Sequence, residues 1–109
     1  MLTNHSPAPW HYNEEVAYGR NIYDADGRWI GQAMGDHGRT NGAGFPSNDQ
    51  CASNVTLMVA APELLEALRE IAKADGVFSL DPLTHAANCI ANMQAIANAA
   101  IAKATGSVE

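Results

Sequence analysis

Arg20, Arg28 and Arg39 are half of the six basic residues in this 109-residue chain, and Tyr23 and Trp29 stand among them. Guanidinium groups pair with phosphate through charge-assisted hydrogen bonds, and aromatic faces stack on bases, so this grouping has the chemistry of a nucleotide clamp. The stretch GDHGRTNGAG, residues 35–44, adds four glycines around Arg39. Successive backbone N–H groups in such a stretch can form an anion-binding nest. It has neither the G-x-x-x-x-G-K-[ST] order of a P-loop nor the G-x-G-x-x-G spacing of a dinucleotide turn. Two readings therefore stand: a surface loop joining a hairpin to a helix, or a cradle assembled when an oligomer brings the arginines together. With Asn54 near the start of the following helix, the expected ligand-binding set is Arg20, Tyr23, Arg28, Trp29, Arg39 and Asn54.

Other chemistries find less to work with. Asp24-x-Asp26-Gly27 opens like a calcium loop, but the further oxygen ligands and the closing bidentate Glu do not follow. His5, His11, His37 and His85 show no spacing that aims two ligands at one metal. Cys51 and Cys89 form no CxxC pair and are read as small apolar side chains without a neighbouring His. No G-x-S-x-G is present. The expectation is a non-enzymatic protein without metal or cofactor.

Composition narrows the partners. Twelve acidic residues against six basic ones give a net charge of −6, which disfavours tracking a duplex backbone. An acidic surface instead suits a basic protein partner or mimicry of nucleic acid. The N-terminus lacks a basic segment followed by an apolar one, and no apolar run approaches a membrane span, so a cytoplasmic location without a membrane partner is expected.

The elements that must position these residues form one domain, 1–109, of the α+β class. Residues 1–46 make the β part. Asp26-Gly27, flanked by apolar and aromatic residues, predicts a two-residue type I′ hairpin over 20–34, pairing Tyr23 with Ile30 and Ile22 with Gly31. A third strand is expected around Trp10 to Val16, because a lone hairpin is marginal. Met58, Ala61, Leu65, Leu68 and Ala72 recur at helical spacing within one helix over 48–74, kinked at Pro62, with Asp75-Gly76 as its stop. Asp81-Pro82 starts a C-terminal helix over 81–105, antiparallel to the first. That helix is alanine-rich, and its polar positions are mostly the amides Asn88, Asn92, Gln94 and Asn98. They form either a small polar face on a buried helix or a homo-oligomer interface with amides bonding across subunits.

Three stretches, HSPAPW at 5–10, IYDADGRWIGQA at 22–33 and NVTLMVAAPELLEALREI at 54–71, resemble a group of small phage and prophage proteins. Their shared pattern is H-T-P-G-P-W, then an Asp-Gly hairpin, then N-A-x-L-I-A-A-A-P-E-L-L-E-A-L. Ser6, Ala8, Val55 and Thr56 depart from it, and the C-terminal helix lies outside the likeness. A sheet followed by two helices is also loosely similar to phage sponge proteins that sequester nucleotide signals of the Thoeris and CBASS defences. The resemblance implies a phage protein in the host cytoplasm and, by analogy, an anti-defence role. One form is sequestration of a cyclic or ADP-ribose-type nucleotide by a homo-oligomer. The alternative is an anti-CRISPR-type inhibitor that docks an acidic face, Glu63, Glu66 and Glu70, on a host defence protein.

Overall fold

The computed structural model describes residues 4–13, 19–35 and 44–106. Its order is β1 (His11–Tyr12), β2 (Gly19–Tyr23), β3 (Trp29–Met34), α1 (Asn48–Val59), α2 (Ala61–Ala72) and α3 (Pro82–Thr105). The three strands form one antiparallel sheet in the order β1-β2-β3. The expected α+β class and the C-terminal helix pair are both present.

The β2–β3 register matches the expectation from Gly19↔Met34 to Ile22↔Gly31 and then departs from it. Tyr23 pairs with Trp29 rather than Ile30, so Ile30 is an extra residue in the strand, a β-bulge. The turn differs as well. Gly27 N–H donates to Asp24 O, Asp24 N–H donates to Arg28 O, and among the turn residues only Gly27 has positive φ, at 83°. This is a three-residue loop whose left-handed closing glycine follows the turn, not the type I′ turn with two positive φ values.

Asp24 is the reason. Its side chain is fully buried and accepts from the backbone N–H groups of Asp26 and Arg28, both at 2.9 Å, and from Arg28 Nε at 3.2 Å. A carboxylate that satisfies two turn N–H groups selects the loop that presents them. Burial pushes the Asp24 carboxyl up, but the hydrogen bonds from Arg28 and Asp26 outweigh it and hold the group below its ordinary range.

The core lies between the sheet and α1, where Ile22, Ala33, Cys51 and Val55 are buried and Trp10, Tyr12, Ile30 and Val59 pack around them. Cys51 Sγ donates to Ala33 O at 3.3 Å, joining α1 to β3. Ser47 caps α1: its side chain accepts from Gln50 N–H while the Gln50 side chain accepts from Ser47 N–H, a capping box.

The helical run is divided at Ala60 into α1 and α2, which bend by 50°. Pro62 has no N–H to continue the ladder, and Ala60 supplies no side-chain cap. At the other end of α2, Ala74 takes the left-handed position, φ 54°, rather than Gly76. Gly76 is needed for proximity: a Cβ there would stand 2.5 Å from the Cys89 backbone N, so the loop lies directly against α3.

Asn92 Nδ2 donates to Asp75 O and Asn88 Nδ2 to Val77 O, each at 2.9 Å. Two of the four amides on α3 thus hold the α2–α3 connection within the chain. Asp81 caps α3 by accepting from Thr84 N–H, and Gly106 ends it at φ 76°. The helices run antiparallel, with Lys103 Nζ 3.7 Å from Glu63 Oε2 at one end and the Asn92–Asp75 bond at the other.

Candidate functional site

The expected ligand set comes together only in part. Tyr23 and Trp29 are cross-strand partners, and His11 is paired with Tyr23 on the other side, so β1, β2 and β3 each place one aromatic in a row. The His11 and Tyr23 rings stack at 5.6 Å with an interplanar angle of 27°. Trp29 is 65% exposed, and its indole N–H donates to Gly31 O at 2.7 Å, which fixes the ring beside the strand.

The bulge at Ile30 builds this row. Without it Trp29 would face Asp24 across the ladder and lie on the face opposite Tyr23, because side chains alternate along a strand. Bulges re-aim side chains in this way.

Amides surround the row. Asn21 shares its face with Tyr23, Gln32 is the cross-strand partner of Asn21, and Asn13 Nδ2 donates to Tyr23 Oη at 3.4 Å. Asn21 Oδ1 is buried and has no hydrogen-bond partner among the described residues. It is an acceptor in need of a donor.

The basic residues are arranged differently. Arg28 is tied to Asp24 at 3.2 Å and to Asp26 at 2.9 Å, so its guanidinium closes the turn. Arg20 is half-buried opposite Ala33, and alternation places it on the helix side with Ile22. It stands at the end of the hairpin away from Arg28. Asn54 is exposed on α1, on the helix side of the sheet. Arg39, His37 and residues 36–43 of the glycine-rich stretch lie outside the described residues.

A second hollow lies on the helix side. It is an open, mostly apolar cavity of about 560 Å³ between Trp10, Ile22, Ile30 and Met58, with His5 and Ser6 among its few polar groups. Its size is that of a small-molecule site, but no cation lines it.

Sequence reasoning missed four members of the outer face, His11, Asn13, Asn21 and Gln32, because assigning them to one face requires the register of all three strands. It also missed that His85 and Cys89 are neighbours: spaced i, i+4 on α3, they bring His85 Nε2 to 3.8 Å from Cys89 Sγ. That spacing was readable in the sequence. His85 also meets Phe78 edge to face at 5.5 Å, which makes it part of the packing at the hairpin tip. Among the described residues no group of His, Cys, Asp or Glu could hold a metal ion.

The family model for Salmonella phage P22 protein Y8K6 matches residues 1–108. The chain belongs to that family. It is therefore a small phage protein, and the family match includes α3, which the three sequence stretches did not reach. No curated protein and no solved structure matches the chain. No single helix among the described residues is long and apolar enough to cross a membrane.

Proposed function

We propose that this phage protein acts by binding rather than by catalysis, and that its sheet face captures a planar heteroaromatic ligand, a nucleotide-type signal of host defence. The observation that carries the reading is the row His11–Tyr23–Trp29, one aromatic from each strand, assembled by a bulge that places Trp29 on the same face as Tyr23.

Stacking on aromatic side chains contributes about 1–3 kcal/mol per base and does not need net positive charge. It therefore suits a chain of net charge −6, for which a polynucleotide backbone would be a poor partner. The exposed Asn13 and Gln32 amides beside the row supply hydrogen bonds for a base edge.

Because Arg28 is held by two carboxylates, the phosphates of such a ligand would depend on other groups, and Arg20 and Arg39 are the candidates left from the sequence. The acidic-face alternative has less support. Glu63 pairs with Lys103, Glu66 with Arg69 and Glu70 with Lys73, so each carboxylate of the supposed docking surface already has a cation within 4.0 Å.

Titration of the full chain with a panel of cyclic and ADP-ribose-type nucleotides, followed by tryptophan fluorescence and calorimetry, tests the proposal. One nucleotide class is expected to quench Trp29. Trp29→Ala or Tyr23→Ala should weaken its binding at least about tenfold, in line with the loss of one stacking contact, with the thermal midpoint nearly unchanged. Binding of the same strength in both variants, or no binding by any nucleotide, would overturn it.

A further inference from the structure

The α2–α3 hairpin leaves a long apolar face uncovered. Its seam is made by half-buried side chains, Leu64, Ala67 and Ile71 on α2 against Cys89, Met93 and Ile96 on α3. At 3.6 residues per turn, Leu65, Leu68 and Ala72 lie about 100° around α2 from that seam, and Leu83, Ile90 and Ile101 lie about 100° around α3 in the same rotational sense. In an antiparallel pair, rotation in the same sense from the seam brings both rows to one side. The two helices therefore present one largely apolar surface, with Leu80, 90% exposed, at the tip.

The exposure of this row calls for a partner. Leu68, Leu83, Ile90 and Ile101 are each more than half exposed on this one side, a row of large apolar side chains of the kind that marks a protein-binding surface. The shape agrees. The radius of gyration is 18.3 Å, whereas a compact chain of this length has about 13 Å. The molecule extends 61 × 33 × 23 Å, too drawn out to cover the hairpin with its own head.

Charge identifies the occupant. After Asp81 the only Asp, Glu, Lys or Arg up to Gly106 is Lys103, and it is paired with Glu63. A strongly charged partner would find nothing to pair with on the α3 half of this face. Two copies, each of net charge −6, repel least across a surface poor in charge, and the α3 half of this face is one.

We propose that a second copy of the chain covers it, the two α2–α3 hairpins packing face to face as a four-helix bundle about a two-fold axis. Leu68 and Ile90 lie near the middle of the contact, where truncation costs most. Gln94 and Asn98, the two α3 amides not used to hold the α2–α3 connection, stand on or beside the same face.

Sedimentation equilibrium and native mass spectrometry of the full chain test this. Twice the 11.5 kDa chain mass is expected at micromolar concentration. Leu68→Glu and Ile90→Glu should each raise the dissociation constant at least about tenfold, whereas Ala95→Glu, on the opposite side of α3, should leave it unchanged. A single-chain mass at about 100 μM, a different multiple, or a dimer indifferent to both Glu variants would overturn the proposal. If either variant loses helical circular dichroism, hydrogen exchange of the wild-type chain decides instead. Amides of 65–72 and 83–101 should exchange faster on dilution, and exchange independent of concentration would refute the interface. This test uses no nucleotide and is independent of ligand binding at the sheet.

Discussion

In the β head, Ile22, Ala33, Cys51 and Val55 close a small core, and a fully buried Asp24 ties the hairpin turn with three hydrogen bonds. In the α2–α3 hairpin the buried residues are Pro62, Ala102 and Ala104, while Leu68, Leu80 and Leu83 face solvent. The head is a closed piece of structure held by local polar wiring and a few well-packed side chains. The hairpin is an open one, held along a single seam and by two amide bonds to its loop. The difference teaches that apolar composition does not measure burial. α3 is rich in apolar residues, yet its only buried side chains are Ala102 and Ala104.

The largest effect is expected at Gly76, where the α2–α3 loop meets α3. A Cβ there would collide with the α3 backbone, which cannot retreat as a flexible side chain could, so Gly76→Val should cost about 3 kcal/mol or more. Urea denaturation together with helical circular dichroism should show the hairpin separating while the head is retained. A variant as stable as the parent would mean that the loop does not lie on α3.

Next in size is a paired test of the two regions. Val55→Ala removes two methyl groups from a site with no exposure and should cost about 2 kcal/mol. Leu83→Ala, at 82% exposure, should stay within about 0.5 kcal/mol when the chain is dilute. Equal losses at low concentration would erase the distinction between the regions. A loss for Leu83→Ala that grows with concentration would sharpen it.

A smaller gain is expected at Ala74, which holds a left-handed backbone at φ 54°. Ala74→Gly should stabilise the hairpin by up to about 1 kcal/mol, since the strain of Cβ outweighs the entropy of glycine there. Thermal unfolding checks the sign.

The most local effect is one of pH. The folded Asp24 carboxyl lies below its unfolded value, so its contribution to stability is fully present above the ordinary Asp range near 4 and is lost as pH falls through the lower folded value. Acid titration should loosen the head, and Asp24→Asn should flatten that dependence while lowering the midpoint at neutral pH. An unchanged acid limb would remove Asp24 from the account.

Much of this architecture was legible. Asp81-Pro82 and Gly106 mark α3 because an oxygen cap, a proline in the first turn and a left-handed glycine each solve a specific backbone problem. Asp26-Gly27 marks a hairpin for the same kind of reason. The bulge at Ile30 was not legible, since it depends on a buried carboxylate choosing a three-residue loop over a two-residue one. That single residue decides which face Trp29 occupies. Of the proposed ligand set, Tyr23 and Trp29 could therefore be selected by type but not by geometry. Arg28 was legible by type but not by its partners: a guanidinium in an aromatic neighbourhood reads as a phosphate ligand, while the fold ties it to Asp24 and Asp26. The amides of α3 were similarly ambiguous, because a side chain that bonds a loop carbonyl and one that bonds a second subunit have the same sequence signature.

Ligand capture by the head and self-association through the hairpin, the two proposals made above, are read at once by native mass spectrometry of the full chain with a nucleotide panel. The predicted result is a two-chain mass carrying one nucleotide per chain, with the nucleotide lost and the pairing kept in Trp29→Ala. A single-chain mass to which no nucleotide adds, at concentrations where both partners are in excess, would contradict it.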